Sequence, residues 1–461
     1  MKTKIDTNIF RAYDIRGLYG KNINKTIIMK IGRGAAEFFR EKGIKSIFVG
    51  YDVRTTSGLL ASALVSAFSS YGIEVGHSGR PLPFGDCMFT GWSENHDAVA
   101  FVTASHLPPE WNGVKFYYGD GVGFSEEDLI EIRNKAIKDQ EMIPEAAWDD
   151  VGPIKRINRL NGYIAFLKER FSLKGKMKIV LDCGNGSMCL TAPKIFREIG
   201  YDVVELFCDV DPTFPNRASE PNEESLIELS QRVVDEKAAF GVGFDGDGDR
   251  AVIVDNKGKV LLADQVGTFL AKELVLGKKD MKVLANVECS LTVEKTLKDL
   301  AEVIRIKVGH TFLTLEAKKR SNVIMGIESS GHMVFPEVFL FDDAILLPLS
   351  LGQVLEKKTI SLAERIAEIP SLPKKRAVFA CPDEIKFQVI EDIAKSLAQN
   401  HNVTTVDGVG ITFSDGWVLI RPSNTSPKIR MVVEAETDER CDELFKAFGQ
   451  ITEDHIKKAD S

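Results

Sequence analysis

Short apolar runs rich in valine and isoleucine alternate, over most of this chain, with segments whose apolar residues recur at helical spacing. Ser46–Tyr51, His96–Val102, Met177–Leu181 and Val283–Val287 are runs of the first kind. Leu59–Tyr71, Thr191–Ile199, Val266–Leu276 and Ala344–Glu356 are of the second. Strands separated by helices are joined by crossovers, and crossovers set neighbouring strands parallel. The alternation therefore predicts an α/β fold, with the periodic segments as covering helices.

At 461 residues the chain exceeds what one core supports, which calls for about two to four domains. Three stretches read as separate βα units, with composition shifts near Pro153, Asp255 and Pro370–Pro373. The expected domains are thus 1–153, 154–255, 256–370 and 371–461. The last differs from the others: a helix at Glu384–Gln399, a hairpin around Ser414–Gly416, a strand at Ile429–Glu436 and a closing helix from Glu439. That pattern predicts a smaller α+β domain suited to close over a site built by the rest.

Fifty-nine Lys and Arg against 67 Asp and Glu leave a formal charge of -8, which gives no electrostatic footprint for nucleic acid or an anionic membrane. An anionic ligand would need local clusters of cations. The start of the chain lacks the apolar stretch of a signal peptide, and no apolar run is long enough to span a bilayer. Seven scattered cysteines without a Cys-x-x-Cys pair suit reduced thiols. The cytosol is the expected compartment.

Chemistry concentrates in separated loops. In Phe244-Asp-Gly-Asp-Gly-Asp-Arg250 three carboxylates occupy alternate positions after an apolar strand. Converging carboxylates repel one another unless a hard cation lies between them, and the intervening glycines let the backbone bend around it. An EF-hand would need Gly and Glu where the chain has Arg250 and Asn256. A dinucleotide loop would need a helix afterwards, whereas Ala251–Asp255 and Lys259–Ala263 read as a β-hairpin.

Thr103-Ala-Ser105-His106 ends the apolar strand Ala98–Val102 and precedes Asn112-Gly-Val-Lys115. Ligands of α/β folds gather beyond the carboxyl ends of strands, which places Ser105 well for chemistry, and no Gly-x-Ser-x-Gly elbow surrounds it. Gly326-Ile-Glu328-Ser-Ser330-Gly-His332 supplies partners for sugar hydroxyls and a histidine that titrates near neutrality. Arg421-Pro-Ser423-Asn424-Thr425-Ser-Pro-Lys-Ile-Arg430 crowds cations and hydroxyls into one loop, the makings of an anion cradle. Phe10-Arg-Ala-Tyr13-Asp-Ile-Arg16-Gly adds two arginines and a polar-tipped aromatic.

Together, and in this order, these residues resemble the α-D-phosphohexomutase superfamily, most closely its phosphomannomutase/phosphoglucomutase branch. The resemblance implies three related mixed-sheet α/β domains and a smaller carboxyl-terminal domain around a central cleft. It also implies that Ser105 carries a phosphoryl group, beside His106, while Asp245, Asp247, Asp249 and a phosphoserine oxygen bind Mg²⁺. Arg250 stands beside them as a basic partner. Lys115, Arg16 and His332 match candidates for proton transfer and charge stabilisation. Glu328 and Ser330 fall in the sugar loop; Arg421, Ser423, Asn424, Thr425 and Arg430 fall in the loop for the substrate's own phosphate. Tyr13, Lys307, Gly309 and His310 are expected substrate contacts.

The implied reaction interconverts hexose 1- and 6-phosphates through a hexose 1,6-bisphosphate that turns end for end between transfers. Small sugar phosphates are the expected partners; a sugar-phosphate sensor and a phosphatase are the alternatives. Three departures from the pattern stand out: Leu107 replaces an asparagine, Ile327 a glycine, and Glu288 a lysine expected to touch phosphate. The phosphoglucosamine branch usually has Ala in the metal loop and Gly in the phosphate loop. Gly248 and Asn424 therefore lead to an expectation of mannose or glucose phosphate, with glucosamine phosphate as the alternative.

Overall fold

The computed structural model describes residues 4–138, 145–357, 360–423 and 427–459. Its strands form four sheets. The first contains β1 (Ile15–Leu18), β2 (Ser46–Tyr51), β3 (Glu74–His77), β4 (Ala98–Val102), β5 (Trp111–Tyr118) and β6 (Ile154–Arg156), in the order β1-β5-β4-β2-β3-β6. The second contains β7 (Lys178–Asp182), β8 (Asp202–Leu206), β9 (Phe240–Phe244) and β10 (Ala251–Asp255), in the order β10-β9-β7-β8. The third contains β11 (Lys282–Asn286), β12 (Glu302–Ile306), β13 (Val323–Ile327) and β14 (Met333–Val334), in the order β12-β11-β13-β14.

One pattern is repeated three times. In each unit the first strand lies parallel to the second and third, and the fourth runs antiparallel to the third. The first unit adds β1 and β6 at its edges. The third strands β4, β9 and β13 are buried at every position, which is why they read as unbroken apolar runs rather than as alternating ones. Each fully buried Val, Ile or Phe contributes roughly 1.5–3 kcal/mol of burial.

The fourth sheet is antiparallel: β15 (Lys374–Ala380), β16 (Val403–Thr404), β17 (Val409–Phe413), β18 (Gly416–Pro422) and β19 (Lys428–Ala435), in the order β15-β19-β18-β17-β16. Helices Lys386–Leu397 and Asp438–Ala459 pack on it. The expected hairpin at Ser414–Gly416 is the β17–β18 turn.

Two expectations are corrected. Lys259–Ala263 is not a strand; Ala251–Asp255 pairs with Phe240–Phe244 instead, and Ala263 opens the helix to Val275. Only the Val254–Val260 bridge survives of the expected pairing. Ile154–Arg156, beyond the composition shift at Pro153, joins the first sheet beside β3. All three residues are exposed on that edge, so no apolar periodicity marked them. Among the described residues no helix is long and apolar enough to cross a membrane.

Candidate functional site

The repeated topology explains how distant motifs meet. The Ser105 loop joins β4 to β5, the aspartate loop joins β9 to β10, and the Glu328–His332 loop joins β13 to β14. These are the same connection, third strand to fourth, in three units. A chain that repeats one topology delivers equivalent loops to equivalent ends of its sheets.

Ser105 is buried and holds φ +52°, a left-handed conformation that costs an L-residue about 1–2 kcal/mol. The surroundings fix it there. Its N–H donates to Thr103 Oγ1 at 2.8 Å, and Arg54 Nη2 donates to its carbonyl at 2.7 Å. Arg54 also donates to the carbonyls of Leu107 and Pro108, each at 2.6 Å, while Asp52 holds the guanidinium at 3.0 Å. Leu107 thus meets Arg54 through its backbone carbonyl. Ser219 Oγ closes it by donating to the His106 carbonyl at 2.6 Å.

From that position Ser105 Oγ donates to Asp245 Oδ2 at 3.0 Å, and Arg250 Nη2 lies 3.3 Å from the same Oγ. Asp245 Oδ1 accepts the N–H groups of Gly248, Asp249 and Arg250 at 3.0–3.2 Å. That compact turn needs Gly248 at φ +81°, where a Cβ would lie 2.5 Å from Met188 Sδ. Lys115 Nζ lies 3.2 Å from Asp247 Oδ2 and pairs closely with Asp249 Oδ2.

Ligand oxygens of Asp245, Asp247 and Asp249 lie within 4.8 Å of one another. Burial, with Asp249 and Asp247 alongside, pushes Asp245 well up; Asp249 is held well below its usual range because Lys115, His332 and Arg250 outweigh its burial. Three buried carboxylates at this spacing cannot all stay ionised without added positive charge. Asp247 Oδ1 and Asp249 Oδ1 are buried and have no hydrogen-bond partner among the described residues. A hard, oxygen-seeking cation fits these residues.

His106 Nδ1 takes a close contact from Arg250 Nη2 and lies 3.4 Å from Ser105 Oγ. Burial and the Arg250 charge hold its ring far below the ordinary histidine range, hence neutral. Arg16 pairs with Asp14 at 2.6 Å, and its charge reaches Asp247. His332 Nδ1 stands 2.6 Å from Asp342 Oδ2 and 4.0 Å from Asp249 Oδ1; these carboxylates outweigh its burial and raise it above the ordinary histidine value. His310 stacks on His332 at 5.1 Å and meets Tyr117 OH at 3.1 Å. Burial and the His332 charge keep it neutral. Tyr13 packs edge-on to His310 at 5.0 Å, and burial lifts its hydroxyl to about 12.

Glu328 Oε2 accepts the Gly309 N–H at 2.9 Å, and Ser330 Oγ donates to Glu328 Oε1 at 2.7 Å. Lys307 is exposed, its ammonium over the Phe312 ring. Arg421 is buried at the end of β18, and Arg430 is its exposed cross-strand neighbour on β19. The buried Ser423 donates its N–H to the Lys428 carbonyl at 2.8 Å. Asn424 and Thr425 lie outside the described residues.

Reading the chain alone missed Asp52, Arg54, Asp342 and Asp407. Each is a charge outside the motifs, and its burial beside a motif residue gives it meaning. Buried charges demand partners, so an Asp52-x-Arg54 pair after the apolar run Ser46–Tyr51 was the one available signal.

Models of the phosphoglucomutase/phosphomannomutase alpha/beta/alpha domains I, II and III match residues 7–142, 161–258 and 263–372, and that family's C-terminal domain matches 379–450. A relative from Methanopyrus kandleri named probable phosphoglucosamine mutase is 34% identical over 447 residues, covering 96% of this chain and 97% of its own. The phosphoglucosamine mutase of Methanococcus vannielii is 32% identical over 448 residues, covering 94% and 97%. The crystal structure of a phosphoglucomutase/phosphomannomutase family protein from Burkholderia thailandensis shares the fold, with a TM-score of 0.89 over 98% of both chains at 24% identity.

Proposed function

The chain belongs to the phosphoglucomutase/phosphomannomutase family and is a phosphohexomutase; from that premise we propose that it interconverts glucosamine 1-phosphate and glucosamine 6-phosphate, with Ser105 as phosphoryl carrier. The observation that carries the reading is Ser105 Oγ at 3.0 Å from Asp245, beside carboxylate oxygens of Asp247 and Asp249 that accept no hydrogen bond from the described residues.

The choice of sugar reverses the expectation from sequence. Mannose or glucose was favoured there by Gly248 and Asn424, but relatives matching nearly the whole chain are named phosphoglucosamine mutases. Gly248 also has a local cause in this chain, its positive φ with Met188 Sδ 2.5 Å from any Cβ.

Asp245, Asp247 and Asp249 would hold Mg²⁺, together with an oxygen of phosphorylated Ser105. When bound, the ion supplies positive charge opposite the oxygens of the phosphoryl group. In the first transfer the Ser105 Oγ–P bond breaks and a P–O bond forms to the free sugar hydroxyl, whose proton leaves. In the second, the opposite phosphate returns to Ser105 Oγ, and a proton goes to the sugar oxygen it vacates. Lys115, bonded to Asp247 and Asp249, is assigned to that exchange. Arg250, Arg16 and His332 supply fixed charge, while His106, neutral and engaged by Arg250, positions the guanidinium. Glu328 and Ser330 orient the sugar; Arg421, Ser423, Asn424, Thr425 and Arg430 would hold the distal phosphate, with Tyr13, Lys307, Gly309 and His310 lining the path between. Hexose 1,6-bisphosphate primes the cycle, in the cytosol, on a four-domain chain whose first domain extends past Pro153 to include Ile154–Arg156.

Initial rates with Mg²⁺ and a trace of hexose 1,6-bisphosphate test the sugar. Glucosamine 1-phosphate should give the highest kcat/KM. A higher value for glucose or mannose 1-phosphate would reject the sugar assignment, and release of inorganic phosphate would make the protein a phosphatase.

A further inference from the structure

Arg421, assigned above to the distal phosphate, already grips an anion in this structure. Glu288 lies in the loop after β11, and its Oε1 accepts from both Nε and Nη2 of Arg421 at 2.6 Å. Those two donors form the fork with which an arginine holds two phosphate oxygens. The contact is shielded, with side-chain exposures of 6% for Arg421 and 14% for Glu288. Asp407 Oδ2 lies 3.9 Å from Arg421 Nη1, so two carboxylates face one guanidinium. A phosphate dianion approaching Arg421 meets an occupied fork with two carboxylates beside it.

The same carboxylates tie this arginine to the sugar-contacting loops. Ser329 Oγ lies 3.4 Å from Glu288 Oε2, between Glu328 and Ser330. Asp407 Oδ2 accepts the Val308 N–H at 3.0 Å, between Lys307 and Gly309. Lys374 Nζ donates to the Glu288 carbonyl at 2.9 Å, which anchors the main chain independently of the side chain. The charges of Arg430 and Arg376 also reach the Glu288 carboxylate and offer it cations once it leaves Arg421.

We propose that Glu288 is an internal phosphate mimic, a latch joining the third unit to the C-terminal one that the substrate's distal phosphate must displace from Arg421. Resting on the reading of Arg421 as a phosphate-holding residue, this makes Glu288 a positioning residue that sets affinity for sugar phosphates. An arginine occupied most of the time binds its ligand with an apparent Kd raised by the inverse of its free fraction.

The test is calorimetric titration of inorganic phosphate, with KM and kcat measured on glucosamine 1-phosphate, for wild type and Glu288→Gln, Asp407→Asn and Arg421→Ala. Glu288→Gln keeps shape and a hydrogen-bonding oxygen but loses the charge. Its Kd for phosphate should fall about tenfold, and its KM with it, as expected when the free fraction rises from about a tenth to near one. Asp407→Asn should shift Kd in the same direction, about threefold for a longer contact. Unchanged or weaker phosphate binding in Glu288→Gln would overturn the latch and make Glu288 a mere orienter of Arg421. Should that variant fail to fold, Asp407→Asn decides by the same sign. If Arg421→Ala binds phosphate as wild type does, the phosphate-holding reading itself fails, an outcome separate from failure of the latch.

Discussion

Ser105 Oγ donates a 3.0 Å hydrogen bond to Asp245 Oδ2, although 140 positions separate the two residues. The contact exists because β4 and β9 hold equivalent places in two copies of one topology, so the loops that follow them converge. Phosphoryl transfer makes modest covalent demands on a protein; it needs the acceptor oxygen, the charges and the substrate held in line.

If the oxygens of Asp247 and Asp249 that accept no hydrogen bond among the described residues await a cation, removing charge there should cost metal affinity before it costs the fold. Asp247→Asn and Asp249→Asn should each raise the Mg²⁺ concentration for half-maximal activity at least tenfold, and chelation should silence the wild type. Wild-type activity in a chelator would contradict this.

Gly248 sits at φ +81° with Met188 Sδ 2.5 Å from any Cβ. Gly248→Ala should therefore lose about 1–2 kcal/mol of stability, from the left-handed backbone alone, and more than tenfold in activity as the three N–H donors to Asp245 shift. Thermal melts and kcat together check it; unaltered values would show that the turn tolerates a side chain.

Arg54 carries the carbonyls of Ser105, Leu107 and Pro108 without touching Ser105 Oγ. Arg54→Met leaves buried Asp52 with its Ser57 and Thr103 hydrogen bonds but without its cation, which costs about 3–5 kcal/mol. Melting should fall accordingly, and soluble protein should retain under a hundredth of wild-type kcat. A fully active variant would refute the role of the cradle.

Asp343 receives Tyr163 OH at 2.5 Å, and burial raises its carboxyl to about 6. Folding therefore favours the protonated acid. Its stabilising share is complete below pH of about 4 and lost as pH rises to about 6, up to about 3 kcal/mol at 1.36 per unit. Asp343→Asn cannot ionise, so its melting temperature relative to wild type should be higher at pH 7 than at pH 4.5. A pH-independent difference would contradict this.

Much of the site was legible because its chemistry is local: Asp245, Asp247 and Asp249 alternate within five residues, and the strands before them are short apolar runs. What escaped is long-range. Asp342 beside His332 and Arg54 beneath Ser105 are pairings between loops of one unit, and Glu288 on Arg421 joins two sheets; no spacing encodes any of them. Glu288 read as a missing positive charge; in the fold it is a bound negative one. The edge strand Ile154–Arg156 escaped for a different reason, because exposed edge residues need no apolar pattern.

The central claim is that Ser105 carries the phosphoryl group, and peptide mapping by mass spectrometry after incubation with hexose 1,6-bisphosphate and Mg²⁺ tests it most directly, alongside turnover of Ser105→Ala. The account predicts one phosphoryl group on the peptide containing Ser105 in the wild type, none in the variant, and at least a thousandfold loss of kcat. A phosphoryl group elsewhere, or a variant that still forms the 6-phosphate at the wild-type rate, would contradict it.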